Sequence, residues 1–123
     1  MFPKLLQNDK HFSWTNHIKN KMLFYGLSEQ RIRTVFKSPD RREEGIVEYT
    51  VAAMQKAKTR KNPEEVWIMY AHADKLKPTN HFAITGKTGK IIMISAWRYP
   101  GVTKPGATIF VPEDTLTELR TLL

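Results

Sequence analysis

The sequence predicts an α+β domain: two N-terminal helices packed on an antiparallel sheet, closed by a short C-terminal helix. Three observations carry that expectation. Apolar residues recur at helical spacing over the first forty or so positions. Beyond residue 45 they switch to strand-like runs. The strands then follow one another through hairpin-length links, which makes an antiparallel sheet. At 123 residues the chain reads as a single domain, 1–123. Residues 1–10 read as a loose arm and 102–123 as a tail carrying the closing helix.

His11 to Trp14 fits a short strand. Ser13 or Thr15 suits the cap of a first helix running to about Tyr25. Trp14, Ile18, Met22 and Tyr25 lie on one face of it, and Gly26 stops it. Ser28 caps a second helix over 29–37, with Ile32, Val35 and Phe36 inward. Ser38-Pro39-Asp40 ends it, because the residue before proline avoids helical geometry. Arg41 to Gly45 leads into a strand predicted over 46–54. Lys56, Lys58, Arg60 and Lys61 form a basic turn that ends at Asn62-Pro63. Residues 65–71 are nearly all apolar, as in a strand buried on both faces. Residues 74–90 read as a long connecting hairpin, with a short strand at 81–85. The last major strand spans 91–98, and Pro100-Gly101 turns the chain after it. Pro112-Glu113-Asp114 opens the closing helix, which Leu116, Leu119 and Leu123 dock. Trp67, Met69, Ile92 and Ile94 join the inward residues of the two helices in the expected core.

Lys and Arg number 20 against 12 Asp and Glu, a net charge of +8. Such an excess suits a polyanionic partner, either nucleic acid or an acidic protein. Between Asp74 and Glu113 there are six bases and no acid: Lys75, Lys77, Lys87, Lys90, Arg98 and Lys104. One edge of the sheet is therefore expected to be strongly positive. The absence of cysteine excludes disulfides, thiolate metal sites and thiol catalysis. No apolar run approaches the ~20 residues of a membrane span, and the first ten residues lack the apolar core of a signal peptide. A cytoplasmic protein is the expectation.

Trp97-Arg98-Tyr99 sets an indole, a guanidinium and a phenol at a strand end, a combination suited to phosphate pairing and base stacking. A core strand whose last residues pack on a neighbour fits the same pattern. His17 and Lys21 share a helix face at i, i+4. His17 is the candidate for proton transfer, and Lys21 is a candidate phosphate ligand. A surface histidine beside a solvated lysine has the same spacing. His11, His17, His72 and His81 lack zinc-ligand spacing, and neither a metal nor a cofactor is expected. Gly86-Lys87-Thr88-Gly89-Lys90 lacks the glycine spacing of a phosphate-binding loop. A basic, cysteine-free, metal-poor site fits RNA cleavage, because the 2′-hydroxyl is itself the nucleophile. The protein need only move protons and neutralise the phosphate, while Trp and Tyr stack flanking bases.

His11 to His17, Lys21-Met22, Tyr25-Gly26-Leu27-Ser28 and Ser38-Pro39-Asp40 resemble the DUF4258 family of small bacterial proteins. The pattern there is a His, a basic residue and Met four positions on, Gly-[Ile/Leu/Val]-Ser, and a helix closing on Pro-Asp or Pro-Lys. The run Lys90 to Arg98 resembles the closing strand of the BrnT toxins. Both resemblances imply a RelE-like ribonuclease fold with a curved antiparallel sheet. They imply a metal-independent endoribonuclease, the toxin of a toxin–antitoxin pair, acting on RNA at or away from the ribosome and held by an acidic antitoxin. His17, Lys21 and Arg98 would form the catalytic group. Lys75, Lys77, Lys87, Lys90, Trp97, Tyr99 and Lys104 would bind RNA. A non-catalytic module that binds RNA or an acidic partner through the same edge is the alternative. A structural protein whose charge is incidental is a third.

Overall fold

A strand of three residues opens the fold, ahead of both helices. The computed structural model describes residues 10–58, 62–75, 91–104 and 106–122. In order they form β1 (Phe12–Trp14), α1 (Asn16–Tyr25), α2 (Glu29–Lys37), β2 (Arg41–Glu44), β3 (Thr50–Lys58), β4 (Pro63–His72), a 3-10 turn (Ala73–Lys75), β5 (Ile91–Pro100) and α3 (Glu113–Leu122). The hairpin strand predicted at 81–85 and the docking residue Leu123 lie outside the described residues. No helix among the described residues is long and apolar enough to cross a membrane.

The strands form one five-stranded sheet in the order β1-β5-β4-β3-β2. β2 to β5 are antiparallel in sequence, but β1 pairs in parallel with β5, Phe12 opposite Ile91 and Trp14 opposite Met93. This corrects the expectation of two N-terminal helices packed on a curved antiparallel sheet. The sheet is mixed, and the order is strand, helix, helix, strands, helix. The physical reason is that α1 and α2 carry the chain from one sheet edge to the other. Successive hairpins then return it to β5, beside the strand it began with. A three-residue strand is too short for its periodicity to reveal that pairing.

The sheet buries both faces. Ile18, Met22, Ile32 and Val35 from the helices meet Val51, Ala53, Val66, Ile68, Tyr70, Met93 and Ala96 on one side. On the other, Ile109, Leu119 and Leu122 cover Met54, Trp67, Met69, Ile92, Ile94 and Trp97. The strand expected over 46–54 begins later and runs longer, as β3 over Thr50–Lys58, which takes in Lys56 and Lys58 of the expected basic turn, and a separate strand precedes it. Arg41 to Glu44 forms β2, an all-charged edge of the kind that discourages stray pairing, and Gly45 to Tyr49 turns into β3.

β5 carries a bulge. Met69 pairs with Ser95 and Tyr70 with Met93, so Ile94 is an extra residue. The bulge sets Ser95 beside Ile94 on the α3 face, where simple alternation would have put it on the other. Below it, Glu65 is fully buried and accepts from Trp67 Nε1 at 3.0 Å, Thr103 N at 3.0 Å and Thr103 Oγ1 at 2.9 Å. Arg41 donates to Thr103 Oγ1 at 3.1 Å and to the Ala107 carbonyl at 2.9 Å. These bonds pin the turn after β5 against the sheet.

Candidate functional site

α1 runs along the part of β5 that β1 leaves unpaired. Thr15 caps the helix by accepting from Ile18 N at 3.1 Å, and its hydroxyl donates to the Ile94 carbonyl at 2.9 Å. Thr15 N also donates to the Met93 carbonyl at 3.2 Å. At the other end Gly26, at φ 65°, closes the helix in the left-handed region. There Arg98 Nε donates to the Tyr25 carbonyl at 2.8 Å. The apolar stripe of α1 faces the first core, which turns His17 and Lys21 toward α3.

His17 is half-buried. Its Nε2 lies 3.0 Å from Ser95 Oγ and 3.5 Å from Thr115 Oγ1, and those two hydroxyls are 2.7 Å apart. Ser95 and Thr115 are fully buried. Burial lowers the imidazole below its ordinary value and outweighs the pull of Asp114 and Glu118 in the opposite direction. His17 is therefore neutral at neutral pH. A turn further on, Lys21 Nζ bonds Asp114 at 2.9 and 3.2 Å and sits 4.9 Å from the centre of the Tyr25 ring. Burial pushes Asp114 upward, but the hydrogen bond and charge of Lys21, with His17 nearby, hold its carboxyl below the ordinary value.

Lys21 and Arg98 thus meet at one residue, Tyr25. Lys21 lies over its ring and Arg98 holds its carbonyl. Arg98 also faces Glu64 at 3.5 Å. Phe24 packs edge-on against the Tyr25 ring at 4.8 Å, yet it is 77% exposed. His17 stands eight residues before Tyr25, about 12 Å along the helix.

Four other expected site residues fall elsewhere. Trp97, expected to offer a stacking face, is fully buried and stacks on Trp67 at 6.2 Å. Its position on the inward parity of β5, under α3, is the reason. Tyr99 is half-buried on the opposite face from Arg98, with its ring 6.1 Å from Phe110. Lys104 is exposed beyond β5, and its carbonyl accepts from Arg41. Lys75 ends the 3-10 turn, and Lys77, Lys87 and Lys90 lie outside the described residues.

Sequence reasoning missed Phe24, Ser95, Asp114 and Thr115 as members of this edge. Phe24 carried a signal, being a large aromatic out of phase with the apolar stripe. The other three carried none, because their roles come from the bulge and from the docking of α3. An open cleft of about 450 Å³ lies at the opposite sheet edge, lined by Glu44, Tyr49, Thr50, His72 and Asp74. Its acidic lining is ill-suited to a polyanion, and it holds none of the expected site residues. The chain matches no protein-family model, no curated protein and no solved structure.

Proposed function

We propose that the protein is a non-catalytic RNA-binding module whose contact surface is the α1/β5 edge. The observation that carries this is the exposed Phe24 ring, seated on Tyr25 beside the Lys21 ammonium. Single exposed apolar side chains are ordinary on protein surfaces, but this ring and its neighbour Leu23, also exposed, leave apolar area that a stacked base would cover. An aromatic face next to cations is the arrangement that stacks an unpaired base while pairing its phosphate. Lys21 itself is buried, but the carboxylate facing it is 54% exposed, so a phosphate reaches that cation by taking the place of the carboxylate. The net charge of +8 draws a polyanion to the surface.

Binding is favoured over cleavage by distance. His17 and the Tyr25–Arg98 contact stand about 12 Å apart along α1, too far to share one phosphate. The Nε2 atom that would take the 2′-hydroxyl proton already faces two buried hydroxyls. Fluorescence anisotropy with labelled single-stranded RNA tests the proposal. Binding is expected to weaken as a straight line in log affinity against log salt and to weaken again in Phe24→Ala. Cleavage of the RNA by wild-type protein in excess EDTA, lost in His17→Ala, would put the nuclease function first.

A further inference from the structure

β2 is the outermost strand on the side of the sheet away from α1. A charged edge usually keeps molecules apart because like charges meet. In β2 the charges alternate in sign within each face. Arg41 and Glu43 lie on the α3 face, opposite Met54 and Ala52. Arg42 and Glu44 lie on the α1/α2 face, opposite Ala53 and Val51.

The backbone of β2 has a defined open side. Gly45 N donates to the Thr50 carbonyl at 3.0 Å, while Thr50 N turns to the Val47 carbonyl, so the N–H of Gly45 points at β3 and sets the phase of the ladder. Alternation along an antiparallel ladder makes Glu43–Ala52 and Arg41–Met54 bonded pairs. The N–H and C=O of Arg42 and Glu44 therefore point away from β3. Their side chains are 51% and 71% exposed.

We propose that this edge pairs antiparallel with the same edge of a second copy, joining two sheets into one. The inference is independent of RNA binding. A two-fold axis perpendicular to the sheet keeps corresponding faces on the same side. Bonded pairs then form between outward-pointing residues. One register sets Arg42 opposite Glu44 of the partner subunit, and Glu44 opposite Arg42 of the partner subunit. It makes two bonded pairs, each with opposite charges directly across. The Arg42–Glu44 contact within one strand, at 3.1 Å, is exchanged for the same contact between copies. Glu43 faces its symmetry mate across the axis, but Arg41 already neutralises it at 3.0 Å. The neighbouring register sets Arg42 against Arg42 of the partner subunit and is opposed by like charge. Four residues bury far less than the roughly 1,600 Å² of a standard interface, so the dimer is weak and concentration-dependent.

Sedimentation equilibrium tests the pairing, with circular dichroism to confirm that each variant is folded. Wild-type mass is expected to rise from monomer toward dimer between micromolar and near-millimolar concentration. Glu44→Arg and Arg42→Glu should each remain monomeric, because each makes the facing positions alike in charge. An equimolar mixture of the two should form a heterodimer. One copy then carries acids at both positions 42 and 44 and the other carries bases, so both cross-strand pairs are opposite in charge. The double variant Arg42→Glu/Glu44→Arg should dimerise like wild type. A monomeric wild type throughout, single variants that self-associate like wild type, or a mixture and double variant that both stay monomeric would each overturn the proposal.

Discussion

Arg98 Nε donates to the carbonyl of Tyr25 at 2.8 Å, tying the last residue of α1 to β5 across 73 positions of sequence. The helix has no basic residue in its own last turn. Arg98 therefore supplies, from another element, the cation that a helix C-terminus favours. It also fixes the residue against which Phe24 is seated.

Arg98→Ala should lower stability. Hydrogen bonds to charged groups contribute about 1.5–3 kcal/mol net, and partial exposure of this side chain places it near the lower end. Arg98→Lys keeps the charge but not the Nε geometry, so it should recover part of the loss. Urea unfolding of the three proteins measures this. Equal midpoints would show that the contact does not hold α1 to the sheet.

Phe24→Ala should separate binding from stability. The ring is mostly in solvent, and exposed substitutions usually change stability by less than about 0.5 kcal/mol. A stacked base is worth about 1–3 kcal/mol by alanine substitution. RNA affinity should therefore fall about five- to 150-fold while the urea midpoint barely moves. An unchanged affinity would remove Phe24 from the contact surface.

Asp114→Asn tests competition for Lys21. Asp114 is half open to water but Lys21 is buried, so losing the carboxylate should cost more than the ~1 kcal/mol ceiling of a surface pair. RNA affinity should rise, because a phosphate no longer displaces a carboxylate. A fall in affinity, in titrations at one fixed salt concentration, would show that Lys21 does not meet the phosphate.

The local structure was readable where the signal is local. Thr15, Ser28 and Gly26 act as the caps their residue types suggest, and α2 spans 29–37 as its apolar spacing indicates. Trp14, Ile18, Met22, Trp67, Met69, Ile92 and Ile94 are buried as expected. Phe36 is only partly covered, packing at the margin of the first core. What was not readable depends on tertiary geometry. The parallel pairing of β1 depends on where the hairpins finally return the chain. The bulge at Ile94 shifts Ser95 to the other face without any glycine or proline to announce it. Trp97 and Arg98 are neighbours in sequence, but strand alternation buries one and leaves the other partly exposed. At the α1/β5 edge, His17 and Lys21 do share a face, as their spacing implied. Their partners Ser95 and Asp114 come from a bulge and from α3, so no local pattern identified them.

His17 should make stability depend on pH in a defined direction. Burial holds its folded-state value below the ordinary 6.5, so below that pH the unfolded chain binds the proton more readily. Stability then rises with pH in the window just below 6.5, and the contribution is complete above it. Acidification through the window should destabilise the protein. Protonation charges a half-buried ring, although Asp114 and Glu118 on α3 offset part of that cost and Lys21 adds to it. Asp114 acts in the same direction but in a lower window, because its carboxyl is held below the ordinary 3.8. His17→Gln keeps a side chain able to bond Ser95 and Thr115 but cannot titrate. Urea unfolding of both proteins from about pH 7.5 to about pH 5 should show a steeper loss for wild type. Parallel curves would mean that His17 binds protons equally in the folded and unfolded states. A wild type that gains stability on acidification would mean that the two carboxylates outweigh burial.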